Sequence, residues 1–242
     1  EISACLVGSE MCIRDSIYEG TYKYEDFDKV GDTYTLKRNV PYFSSESNTQ
    51  PGMPKYADLN GDGIIDDNDR TMIGNGMPKH TGGFTNNFEY KGFDLSIFFQ
   101  WSYGNDVLNA NRLFFENSNK TRDLNQYASY ADRWTPENPE SNIPRATDSG
   151  SNKVFSTRII EDGSFLRLKT VSLGYTLPKQ LTKKWKIDNA RVFVAGQNLW
   201  TCTGYSGYDP EVSIREGALT PGLDFSAYPR AYSISFGINL GF

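Results

Sequence analysis

Hydrophobic and polar positions alternate most regularly at the end of the chain. Tyr232, Ile234, Phe236, Ile238, Leu240 and Phe242 are separated by Ser233, Ser235, Gly237, Asn239 and Gly241. An unbroken period of two predicts a β-strand with one apolar and one polar face. The run is about as long as a tilted strand that crosses a membrane. Its polar members are small and uncharged, as suits the inner wall of a barrel, and the closing Phe242 resembles the signal by which outer-membrane barrels are recognised for insertion. A hairpin is predicted earlier. Phe84, Asn86, Phe88 and Tyr90 lead into the turn dipeptide Lys91-Gly92, and Phe93, Leu95, Ile97, Phe99, Trp101 and Tyr103 lead out of it. So many large apolar side chains on one face exceed what a soluble edge strand exposes, whereas lipid accepts them.

Other segments are less regular. Residues 165–176 carry Val171, Leu173 and Tyr175 on one face, with Arg167 and Lys169 nearer one end, and residues 190–201 hold Val192, Phe193 and Val194 without alternation. Residues 177–189, with Pro178, several lysines and Trp185, predict a turn containing a short helical piece. A sixth strand is expected near residues 17–27, where Tyr18, Tyr22 and Tyr24 cluster, and residues 105–118 and 127–134 have partly helical patterns. Connections 91–92 and 177–189 are short, whereas 28–80, 104–163 and 203–231 are long and rich in Gly, Pro, Asn and Asp. Short turns alternating with long loops are the signature of bacterial barrels, with the turns in the periplasm and the loops outside. Counting back from a periplasmic C-terminus, every long connection falls outside. The expected fold is therefore all-β: an antiparallel transmembrane β-barrel, represented here by a C-terminal segment of about six strands with long extracellular loops.

Composition narrows the function. Aromatic residues form 14% of the chain, with 15 Tyr and 15 Phe, which suits the interface girdles of a barrel. No apolar run reaches the length of about 18 residues that a spanning helix needs. The net charge of -5 comes with no basic patch, which argues against nucleic acid. His80 is the single histidine, so neither a Ser-His-Asp nor a Cys-His centre can be assembled beyond chance, and no enzyme is expected. The acidic pairs Glu161-Asp162 and Asp66-Asp67 fall in a turn and a loop, and Thr81-Gly82-Gly83 lacks the Lys-Ser/Thr of a phosphate loop. Cys5, Cys12 and Cys202 make no disulfide framework. The first sixteen residues, EISACLVGSEMCIRDS, contain a lipoprotein-like Ile2-Ser3-Ala4-Cys5 box with no leader before it, and resemble a translated sequencing-adaptor artefact. Residues 1–16 are thus expected to be a non-native segment and residues 17–242 the barrel portion.

One motif points to a ligand. Across residues 58–69, Asp58, Asn60 and Asp62 supply oxygens at positions 1, 3 and 5 of a 12-residue calcium loop. Gly63 permits the turn at position 6, Ile64 offers its carbonyl at position 7, Asp66 occupies position 9 and Asp69 position 12. The shorter Asp69 in place of Glu reaches an ion with one oxygen. The flexible, many-oxygen site suits Ca2+ better than Mg2+. An Asx-rich turn without metal is the alternative. Phe114, Phe115, Tyr127, Tyr130, Trp134, Tyr205, Tyr208, Phe225 and Tyr228 crowd the expected outer loops. They could pack on the C–H faces of sugars, or on one another and the membrane rim.

The residues together resemble the SusC/RagA class of TonB-dependent outer-membrane transporters. The resemblance rests on residues 58–70, Ile73-Gly74-Asn75, Thr81-Gly82-Gly83-Phe84 and residues 90–100. It continues through residues 133–139, Ile143-Pro144-Arg145, residues 164–169 and 173–178, Gly196-Gln197-Asn198-Leu199 and residues 207–211. The resemblance spans residues 17–242 and implies a barrel of roughly 22 strands with a plugged lumen. It also implies energy from TonB through a region N-terminal to this chain, a SusD-like lipoprotein partner, and import of oligosaccharides or peptides across the outer membrane of a Gram-negative bacterium. The competing reading is a soluble secreted calcium-dependent glycan-binding or adhesion module.

Overall fold

The structure is a computed structural model that describes residues 12–117, 125–146, 154–211 and 222–242. The chain divides into two compact units. One comprises Glu1–Gly76, Val107–Glu161 and Ser213–Ala227, the other Met77–Asp106, Asp162–Val212 and Tyr228–Phe242.

The second unit is a five-stranded antiparallel sheet. Its strands are β1 (His80–Tyr90), β2 (Phe93–Tyr103), β3 (Phe165–Thr176), β4 (Asn189–Thr203) and β5 (Ser233–Gly241), in the order β5-β4-β3-β2-β1. Every strand pairs with its neighbour in sequence, an up-and-down meander. The predicted hairpin and final strand are present, with Phe93 opposite Tyr90 across the turn. Lys91 and Gly92 both take positive φ there, 47° and 87°, as a two-residue turn matching the strand twist requires. The expected helical piece after β3 is a turn of helix at Lys179–Thr182 followed by a 3-10 turn at Lys183–Trp185. Connections 91–92 and 177–188 join strands at one end of the sheet, and the chain enters and leaves the sheet for the long connections at the other end, the alternation that loop length predicted.

The irregular strands are irregular because they are bulged. Pairing of β2 with β3 skips Lys169, so Phe98 faces Thr170 and Phe99 faces Leu168. Parity changes there, and Leu166 and Leu168 join Val171, Leu173 and Tyr175 on one face despite their opposite numbering. On β4 the matching disturbance falls at Asn198, whose φ is 52°. An extra residue of this kind re-aims side chains without ending a strand.

The expected sixth strand is not part of this sheet. Within residues 17–27, Tyr18–Thr21 forms a short strand that pairs with Pro54–Tyr56, and Phe27–Val30 forms a hairpin with Thr33–Leu36. The segment 28–80, expected as a loop, is thus largely folded. Tyr22, Phe27 and Leu36 form a buried cluster flanked by Tyr34, Val40, Tyr42 and Met53. Strands of two to four residues lack the length to display periodicity, and local aromatic packing decides the outcome. Next to the boundary expected after residue 16, Cys12–Asp15 pairs with Thr71–Asn75 and Ser16 bridges Ser156. Residues 1–11 lie outside the described residues. Helical turns occur where the patterns suggested them, at Ala110–Phe115 and Ala128–Asp132.

Candidate functional site

The two faces of the five-stranded sheet are chemically distinct. On one face, Phe84, Phe88 and Tyr90 of β1 align with Phe99, Leu95 and Phe93 of β2. These continue into Leu168, Leu173 and Tyr175 of β3 and Val192, Val194 and Trp200 of β4. The band ends in Ile234, Phe236, Ile238 and Leu240 of β5. It is interrupted by Asn86 on β1 and by the bulge on β4. Most of these side chains are exposed; Phe236 retains 82% of its surface. An eleven-residue strand such as β2 rises about 3.3 Å per residue, or about 36 Å, and a tilt near 45° reduces that to about 25 Å, the height of a barrel's apolar band.

The opposite face is polar. It carries Thr85, Asn87, Ser96, Gln100, Thr170, Ser172, Gln197, Ser235 and Asn239. Lys169 Nζ donates to Gln100 Oε1 at 2.6 Å. Arg191 forms an ion pair with Asp94, with Nε donating to Oδ1 at 2.9 Å. Two large rings also lie on this side. Phe98 covers Gly83 and Phe193 covers Gly237, and a Cβ at either glycine would collide with the ring. Phe193, which spoils the alternation of β4 in the sequence, is therefore accommodated by a glycine on the adjacent strand.

At the end of the sheet where the long connections begin lies a charge cluster that no local sequence pattern announces. Arg167 is 2% exposed and donates to Asp209 Oδ1 at 2.5 Å. Its other terminal nitrogen lies 3.2 Å from Glu211, which also pairs with Arg230 at 3.1 Å. Asp209 accepts the backbone N–H groups of Glu211 and Arg230 as well. Burial pushes the Asp209 carboxyl up, but the Arg167 hydrogen bond and the two backbone donors outweigh it, and its pKa falls below the ordinary value. The local signal was an arginine inside an apolar strand, Phe165-Leu166-Arg167-Leu168, whose partner is far away in sequence.

The calcium-type loop belongs to the first unit. Asp58 accepts N–H bonds from Gly61 and Gly63 at 2.7 and 2.8 Å, Asn60 from Asp62 at 2.8 Å, and Asp62 from Ile64 at 2.8 Å. Asp66 accepts from Asn68 at 2.7 Å. Gly61 and Gly63 have φ of 78° and 83°, the left-handed geometry that glycine adopts without strain. Asp69 is fully buried and takes the N–H groups of Leu59, Asn60 and Asp66. Burial alone would raise its pKa; these three donors lower it. Its carboxylate is committed to closing the loop. Among the described residues no three His, Cys, Asp or Glu side chains gather to hold a metal ion by themselves, so a cation would draw on the Asn60 oxygen and the Ile64 carbonyl too.

Most loop aromatics pack on one another. Phe114 meets Phe225 at 4.9 Å, Phe115 meets Tyr127 at 5.4 Å, and Trp134 lies between Tyr24 and Arg145 over Gly52. Tyr130, Trp134 and Tyr205 are buried, whereas Tyr208 and Tyr228 are highly exposed.

A meander with an exposed apolar face, a polar reverse face and its long connections at one end defines an antiparallel transmembrane β-barrel wall. Comparison with known proteins agrees. The chain is 34% identical over 232 residues to TonB-dependent receptor P3 of Formosa agariphila, covering 93% of this chain and 21% of the receptor. It is 39% identical to TonB-dependent receptor P26 of the same organism over 79% of this chain and 20% of that protein. TonB-dependent receptor SusC of Bacteroides thetaiotaomicron is 28% identical over 81% of this chain and 18% of its own length. Among solved structures, the RagAB peptide transporter superposes with a TM-score of 0.70 at 26% identity, over 96% of this chain and 23% of that one. No family model matches the chain. We assign it to the TonB-dependent receptors of the SusC/RagA type. It spans about a fifth of the length of the curated relatives it matches. These relatives are receptors and transporters, not enzymes, in line with the absence of a catalytic arrangement expected from the sequence.

Proposed function

We propose that this chain forms part of the wall of an outer-membrane importer that draws energy from TonB and works with a SusD-like surface lipoprotein. The observation that carries the reading is the exposed apolar band backed by a polar face. A soluble glycan-binding module would have to cover such a band. Among the described residues the sheet has two open edges, since β1 and β5 each pair on one side only. Lipid cannot satisfy unpaired backbone groups, so both edges require further strands, and closure with the rest of a barrel supplies them. Oligosaccharides or peptides are the proposed cargo, and the likeness to the RagAB peptide transporter supports the second.

Orientation provides the test. In the full-length receptor with its native cysteines replaced, Asn138→Cys should react with an impermeant reagent on intact cells. Lys91→Cys should react only after permeabilisation. The reverse pattern would invert the wall, and equal labelling of both sites in a soluble fraction would remove the membrane reading altogether.

We also propose Ca2+ as a structural ligand of the 58–69 loop, through Asp58, Asn60, Asp62, the Ile64 carbonyl and Asp66. The preset backbone turns support this reading. With Asp69 engaged elsewhere, affinity should be weak, about 10⁻⁴–10⁻³ M as in extracellular modules. Calorimetry on the full-length receptor should show calcium heats that Asp62→Ala abolishes without unfolding the barrel. The same heats in both proteins would dispose of the site.

A further inference from the structure

We propose that the turn joining β3 to β4 binds the headgroups of anionic phospholipids in the periplasmic leaflet, an inference that rests on the membrane orientation proposed above. Residues 177–188 contain Lys179, Lys183, Lys184 and Lys186 against one acid, Asp188. All four lysines are exposed, and no ion pair among the described residues uses them. Between them stand two apolar side chains in the open, Trp185 at 64% exposure and Leu181 at 49%. Water disfavours such a pair, whereas the headgroup zone of a bilayer accommodates the amphipathic indole and lets lysine stems lie along apolar surface while the ammonium reaches phosphate.

The turn is held in place. Thr182 is buried, its carbonyl accepts the Ile187 N–H at 3.2 Å, and Leu181 N–H bonds Pro178. Asp188 N–H donates to Gly241 at 2.8 Å and Leu177 N–H to Ala190 at 2.9 Å, which fixes both ends of the turn to the rim of the sheet. That rim is where the apolar band ends in Val192, Ile238 and Leu240. Under the orientation proposed above, the exposed lysines and Trp185 stand at the level where phosphates lie. The net charge of the segment selects anionic over zwitterionic headgroups, and its place at the short-turn end selects the phospholipid leaflet.

The test uses the full-length receptor in nanodiscs of mixed phosphatidylglycerol and phosphatidylcholine. Phosphatidylglycerol should be enriched among the lipids retained on mild detergent extraction. Each basic residue near an anionic surface contributes a factor of about five in preference. The variant carrying Lys179→Gln, Lys183→Gln, Lys184→Gln and Lys186→Gln should lose most of the enrichment while inserting normally. Brominated phosphatidylglycerol should quench a tryptophan component that Trp185→Phe removes. Normal insertion with equal enrichment in both proteins, or a Trp185 component indifferent to brominated lipid, overturns this inference and leaves the barrel intact. Failure of the parent receptor to insert at all overturns both.

Discussion

Phe236→Arg in the full-length receptor should sharply lower the yield of folded protein in the outer membrane, whereas Ser235→Arg should lower it far less. Phe236 sits opposite Val194 in the exposed band and Ser235 opposite Ala195 on the polar face. An arginine at the lipid midplane costs about 2–4 kcal/mol, and a substitution on the inner side mainly alters what the interior accepts. Adjacent residues make the comparison stringent, because both lie at the same depth of the wall on opposite faces. Folding should be scored in bilayers of short and long lipids, where a spanning strand responds to thickness. Equal tolerance of the two arginines, or yields independent of lipid, would defeat the assignment of this strand to a membrane wall.

The second large effect is expected at Asp209. Replacing it with Ala strands a buried Arg167 with only Glu211 and removes the acceptor for two backbone N–H groups. Breaking a buried pair by removing one partner costs about 3–5 kcal/mol, and the remaining Glu211 should hold the loss near the lower figure. The connection between β4 and β5 should become sensitive to protease at residues near 209 and 230, and denaturant midpoints of the detergent-folded receptor should fall. The pair should also confer acid sensitivity. The folded pKa of Asp209 is depressed, so its contribution is complete above the unfolded carboxyl value near 4 and is lost as pH falls through the lower folded value. The Ala variant should lack that part of the acid transition. Unchanged midpoint, protease pattern and acid transition would mean that Arg167 is satisfied without Asp209.

How much of this was readable in the sequence depended on the range of the interaction. β5 declared itself because its alternation runs unbroken, and the β1–β2 hairpin because six large apolar side chains follow one another on one face of β2 and its turn needs only Lys91-Gly92. β3 was partly concealed by Lys169, since one extra residue makes Leu166 and Leu168 look like members of the wrong face. β4 was concealed by Phe193, whose place depends on Gly237 in another strand. The tyrosines of segment 17–27 suggest a wall strand. Tyr22 and Phe27 serve a small aromatic core, and nothing local distinguishes that use from a lipid-facing one. The Asx spacing of residues 58–68 is local and was legible, but the inward turn of Asp69 depends on its contact with Leu59 and was not. The Arg167–Asp209 pair joins residues 42 apart, beyond any periodicity.

The bulge at Lys169 has a further consequence for assembly. Side chains on a strand swap faces when its register slips by one residue. In β3 the parity change divides the strand into two stretches that are correctly presented together in a single alignment. A slip that moved only the outer stretch would turn Leu166 and Leu168 inward and drive Arg167 toward hydrocarbon. The partner disturbance at Asn198 must meet the same spot from the other side. A slip on either side of the bulge therefore misplaces side chains on β3, and the single alignment observed is the one that presents both stretches correctly.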